Sequence, residues 1–125
     1  MAVKSYQELV AWRRAMDLMA EIYKVTAVFP RDEVYGLTNQ IRRAAISVPS
    51  NIAEGQGRGM GSEFARHLRI AQGSLQEVET QLMIASRLGF ASSVAVTGAL
   101  ELAGEVGRLL RGLRKSISQG APASN

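Results

Sequence analysis

Apolar side chains recur along this chain at alternating steps of three and four residues, in four successive blocks. That spacing lines one face of an α-helix. In the first block, Leu9, Trp12, Met16, Met19 and Tyr23 form one row, and Ala15, Leu18, Ile22, Val25 and Phe29 form a second beside it. Two adjacent rows make a face broad enough for a bundle interior. Ser5, followed three residues later by Glu8, has the form of a capping box, and Pro30 closes the block.

The second block starts at Asp32 and Glu33, where a helix N-terminus favours negative charge. Val34, Leu37, Ile41, Ala45, Val48 and Ile52 then share a face. Pro49 removes a backbone donor and crowds the Ala45 carbonyl, at a cost of about 3 kcal/mol if the helix continues. Helix two either ends near Val48 or bends there; the apolar spacing that survives to Ile52 favours a helix kinked at Pro49. Gly55, Gly57, Gly59 and Gly61 are expected to end it.

Ser62 is the expected N-cap of the third block, in which Phe64, Leu68, Ala71, Leu75, Val78, Leu82 and Ala85 recur before Gly89 supplies a C-terminal cap. Ser92 or Ser93 opens the fourth, with Ala99, Leu102, Val106, Leu109, Leu113 and Ile117 in its row. Four amphipathic helices on short links bury their faces only against one another. The expected fold is all-α: an antiparallel up-down four-helix bundle over residues 1–119, with a disordered tail at 120–125. Neither a strand pattern nor a helical-repeat period competes. Gly98, Gly104, Gly107 and Gly112 weaken helix four by up to about 1 kcal/mol each. That helix therefore needs tertiary or subunit packing, and its small residues allow close helix approach.

The runs AWRRAMDLMAEIYKVTAVFP (11–30), DEVYGLTNQIRRAAISVPSNIAEGQGR (32–58) and RHLRIAQGSLQEVETQLMIASRLGF (66–90) resemble a known family. It comprises the four-helix-bundle proteins encoded in intervening sequences of bacterial 23S ribosomal RNA genes, once labelled ribosomal protein S23. SVPSNIAEG and GSLQEVETQL are the most specific parts, whereas helix four matches in pattern only. The resemblance implies a bundle protein forming a cyclic homo-oligomer, plausibly a pentamer, with no known enzymatic activity. Related bundles accompany retroelement reverse transcriptases, which makes RNA, or a nucleic-acid-processing protein, the expected partner.

Composition narrows the chemistry. The 125 residues are 46% hydrophobic and 21% charged, as in ordinary globular domains. Without cysteine there is no disulfide framework and no thiolate chemistry. No apolar stretch is long enough for a membrane span, and the first residues form no apolar signal-peptide core. The cytoplasm is the expected location. The net charge of +4 rests on twelve arginines and three lysines. Arginine favours forked contacts with phosphate or carboxylate.

Catalytic and metal motifs are weak. The run Gly55–Gly61 fits neither a dinucleotide-binding nor a P-loop spacing and follows no strand, so it reads as a helix link before it reads as an anion site. His67 has no helical His or Glu partner at metal-ligand spacing; no metal or cofactor is expected. Trp12 and Tyr23 sit at core spacing and read as packing residues. Asn51 and Glu54 on helix two are expected to oppose Ser74, Glu77 and Gln81 on helix three, with Arg42 or Arg43 as the cationic member. A register-fixing or subunit-joining polar network is the favoured reading; the enzyme alternative takes Glu54 and Glu77 as acid and base.

Charge balance is more telling. On helix one, Arg13 and Arg14 can meet Asp17, and Lys24 can meet Glu21, leaving that face near neutral. On helix four, Arg108, Arg111 and Lys115 share an outward row with Arg114 beside it, and no acid follows Glu105. The helix dipole alone favours cations there. Arg58, Arg66 and Arg69 crowd the start of helix three, which an antiparallel bundle places beside the end of helix four. The expected function is a non-enzymatic RNA-binding oligomer gripping phosphates through Arg58, Arg66, Arg69, Arg108, Arg111, Arg114 and Lys115. The alternative is a protein–protein scaffold.

Overall fold

The computed structural model describes residues 5–59 and 61–118. Four helices follow in order: α1 (Val10–Thr26), α2 (Leu37–Gly57), α3 (Ser62–Arg87) and α4 (Ser93–Ser118). The described residues hold no strand. Each helix packs on the next, and α4 closes the ring against α1. With such short links, packed neighbours must run antiparallel. The expected tail at 120–125 lies outside the described residues.

The core is a continuous column of apolar side chains from all four helices. Leu18, Ile22, Ile41, Ile52, Phe64, Leu68, Leu82 and Leu110 are fully buried. Burying each such side chain contributes about 1.5–3 kcal/mol relative to leaving it in water. Pro49 does not end α2: the helix runs through it to Gly57, with the proline itself buried. Termination at Val48 is thereby excluded. Gly55 and Gly57 belong to α2, and only the segment from Arg58 to Gly61 links it to α3.

Local starts and stops differ in detail from the sequence expectations. Ser5 does cap, but its hydroxyl accepts from the Gln7 amide at the head of a short 3-10 turn, Tyr6–Glu8. The helix proper begins at Val10, because Leu9 is extended and wholly buried and so anchors the chain there. Asp32 and Glu33 lie in a second 3-10 turn, Arg31–Glu33. Glu33 reaches forward to accept from the Leu37 amide at 3.0 Å, capping the true start of α2. Val34, expected on the apolar face, lies in the turn before that start and is 52% exposed. Ser62 is the first residue of α3, and Gly61 holds the capping position, its carbonyl accepting from Ala65.

The end of α3 follows expectation. Gly89 takes a positive φ of 73°, which a Cβ would oppose, and Phe90 donates to the Ala85 carbonyl at 2.8 Å. Gly89 donates to Ser86, completing a Schellman motif. Ser92 then caps α4 by accepting from Ala95. The buried face of α4 is rotated from the expected row: Ala103, Val106, Gly107 and Leu110 are buried, while Leu102, Leu109 and Ile117 are only partly so. Small residues explain the rotation. A Cβ on Gly107 would sit 3.3 Å from Leu75 Cδ2, so α4 lies close against α3 along that edge.

Candidate nucleic-acid interface

The start of α3 and the end of α4 meet at one end of the bundle. Arg69 and Ala65 from α3, with Arg111, Arg114, Lys115 and Ser118 from α4, line an open hollow of about 400 Å³. Arg111 and Lys115 stand one helical turn apart and repel each other. No carboxylate lines the hollow, and none of its four cations has an ion-pair partner among the described residues. Carbonyls at the C-terminus of α4 offset part of this charge. An anion there would offset the rest.

The remaining expected phosphate contacts separate from this group. Arg58 donates to the Glu54 carboxylate at 3.1 Å, and Arg66 pairs with Glu63 at 3.5 Å. The Arg58 hydrogen bond, helped by the neighbouring His67, holds the Glu54 carboxyl below its ordinary value of 4.5. Arg108 lies back along α4 over Gly104 and outside the hollow. Its charge adds slightly to the lowering of Glu105, which owes most to Arg14. Arg14 bridges Asp17 and Glu105 and so ties α1 to α4. Lys24 pairs with Glu21 at 3.9 Å, whereas Arg13 donates to the Gln7 carbonyl instead of meeting Asp17.

The expected polar network exists in part, between α2 and α3. Ser74 and Ser47 hydroxyls lie 2.8 Å apart, and Asn51 donates to both the hydroxyl and the carbonyl of Ser47 at 2.9 Å. Gln81 donates to Gln40 at 3.4 Å. Arg43 and Glu77 line the same groove but are exposed. Arg42 and Glu54 do not join it. Arg42, one position from Arg43, is turned about 100° around the helix and donates to Thr26 on α1. Glu54 is engaged by Arg58 and His67 and does not line the groove that holds Glu77. An acid–base pair of Glu54 and Glu77 is therefore not assembled. Ser47 and Gln40 were missed, although the polar row Gln40, Ser47, Asn51 at helical spacing was a usable signal.

His67 is buried and structural in its contacts. Its Nδ1 lies 3.0 Å from the Glu63 carbonyl, which can only accept, so Nδ1 donates. Its Cβ lies against Gly55, where an added Cβ would come within 2.6 Å. Trp12 is partly buried against the core, while Tyr23 is 38% exposed and carries the Arg42 guanidinium over its ring. No group of three or more acidic or histidine side chains is placed to hold a metal among the described residues. No helix there is long and apolar enough to cross a membrane.

An all-helical bundle with a cationic hollow at one end is the class that these observations define. Residues 7–112 match the sequence profile described as 23S rRNA-intervening sequence protein, and the chain belongs to that family. Its fold is similar to the crystal structure, at 1.70 Å, of a protein of unknown function from the S23 ribosomal protein family of Bacteroides thetaiotaomicron. The TM-score is 0.78 with 20% identity, over 85% of this chain and 99% of that one; at such identity the likeness concerns the fold alone. No curated protein matches the sequence.

Proposed function

We propose that this protein is a non-enzymatic, cytoplasmic, basic bundle that holds structured RNA by its phosphates. The carrying observation is the hollow lined by Arg69, Arg111, Arg114 and Lys115 without a carboxylate. Arginine forks suit phosphate oxygens. Self-association into a cyclic ring, a pentamer in this reading, would repeat the hollow around the symmetry axis and multiply weak contacts. Contacts to phosphate without base readers give binding that falls steeply with salt and discriminates little between sequences. Four cations set a slope of log affinity against log salt of about −3 per subunit. Fluorescence anisotropy with labelled structured and single-stranded RNA across a salt series tests this. A flat signal at low salt removes it.

A second reading, a protein–protein scaffold, draws on the opposite end of the bundle. Val28, Val34, Tyr35, Leu88 and Val94 are all more than half exposed there. Co-purification of a protein that survives nuclease treatment favours this reading over the first.

A further inference from the structure

At the end away from the cationic hollow, the α1–α2 connection folds over a second hollow of about 390 Å³. Its walls are Ala27, Phe29, Pro30 and Val34 on the apolar side, with Thr26, Thr38, Arg31 and Arg42 on the polar side. Three features set it apart from an ordinary surface dent. First, the Arg42 guanidinium is held in place: its Nε donates to Thr26 Oγ1 at 2.8 Å, and it stacks 4.4 Å from the centre of the Tyr23 ring. Thr26 is itself 2% exposed, with its hydroxyl also donating to the Ile22 carbonyl. Secondly, no carboxylate pairs with Arg42 or Arg31 among the described residues. The terminal nitrogens of Arg42 thus keep unspent donors. Thirdly, Thr38 is 7% exposed and lines the hollow, yet its hydroxyl has no hydrogen-bond partner among the described residues.

A half-buried, oriented cation beside a hydroxyl that opens on the hollow without a protein partner leaves both free to bind a ligand. The geometry points to a binding site for a carboxylate carried on an apolar body. The carboxylate accepts from Arg42 and from the Thr38 hydroxyl, and the body rests on Phe29, Pro30 and Val34. A carboxylate supplies several lone-pair positions for the Arg42 guanidinium and the Thr38 hydroxyl proton. The apolar wall discriminates against inorganic phosphate, which has no surface to bury there. Two sources present this chemistry: the C-terminal residue of a polypeptide, and a free short-chain carboxylic acid. The inference is independent of the RNA reading, which concerns the other end of the bundle.

The test is heteronuclear NMR of the full chain, following the Arg42 Nε–Hε signal and the Val34 and Thr38 amides. Probes are acetyl-Ala-Ala-Leu with a free C-terminus, hexanoate, acetyl-leucinamide, acetate and inorganic phosphate. Saturable shifts with the peptide or with hexanoate, weaker by roughly tenfold or more with the other three, support the site. The tighter of the two carboxylates names the source. Arg42→Gln weakens binding by roughly tenfold or more. Because that variant also cuts the tie to Thr26, Val34→Asp is the companion: it changes an exposed wall residue, retains the fold and places a repelling charge at the site. The proposal falls if acetate, phosphate or the amide matches the peptide, if no shift saturates, or if binding survives Val34→Asp in the folded variant.

Discussion

Two groups of arginines stand at the same end of this bundle and differ in one respect. Arg58 and Arg66 each have a glutamate on their own or an adjoining turn, and the structure pairs them. Arg69, Arg111, Arg114 and Lys115 come from two helices and face a hollow with no acid in its lining. Exposed pairs such as Arg58–Glu54 contribute at most about 1 kcal/mol to stability, yet they place a competing carboxylate beside each cation. The unpaired group has no such competitor. Cation count along a helix therefore overstates a phosphate-binding surface, and partners across the fold decide which charges remain available.

Removing the unpaired group is the sharpest way to break this comparison. Arg111→Gln, Arg114→Gln and Lys115→Gln together should weaken RNA binding by roughly a hundredfold at low salt and flatten the salt slope by about 2. Arg58→Gln with Arg66→Gln should cost less than about threefold in the same anisotropy assay. Equal losses from the two sets would erase the distinction.

The paired corner depends on close contact between α2 and α3, which Gly55 permits. Gly55→Ala would drive a Cβ to 2.6 Å from His67 Cβ and 3.1 Å from the buried Phe64 ring. Overpacking of that kind costs about 1–3 kcal/mol, read as a lower urea midpoint. An unchanged midpoint would mean that the helices separate freely at that contact. Gly112 on α4 offers the contrast, since a Cβ there meets nothing within 4 Å. Gly112→Ala should raise stability by up to about 1 kcal/mol in the same denaturation assay while leaving RNA affinity unchanged.

The smallest expected effect is one of pH. Glu54, lowered chiefly by its hydrogen bond to Arg58, and Glu105, lowered chiefly by Arg14, both ionise below the ordinary 4.5 in the folded chain. A folded-state value below the unfolded one stabilises above the ordinary value and loses that stabilisation as pH falls through the lowered one. Glu54→Gln should therefore reduce the urea midpoint at neutral pH. It should converge on the parent chain as pH drops below 4.5. A gap that persists in acid would place the contribution elsewhere than in the ionised carboxylate.

Much of this was legible in order along the chain. Helical spacing located all four helices, and the positive φ of Gly89 and the Ser92 cap fell where local chemistry required them. The start of α2 was harder to read, because Glu33 caps from within a 3-10 turn and the first apolar residue, Val34, stays outside the helix. The rotation of α4 was hidden for a related reason. Rows of large apolar residues suggested one face, whereas Ala103 and Gly107 allowed a closer approach along another.

The sequence by itself determined the number of helices, their order and the clusters of positive charge at the start of α3 and the end of α4. Those properties follow from periodicity and from neighbours within a turn or two. Only the tertiary structure decided which arginines are spent on carboxylates, that Arg42 turns toward Thr26 and Tyr23 instead of the polar groove, and that Ser47 bonds Ser74. A helical side chain's partner depends on rotation about the helix axis and on what the facing helix presents. Neither quantity is written in spacing along one strand of sequence.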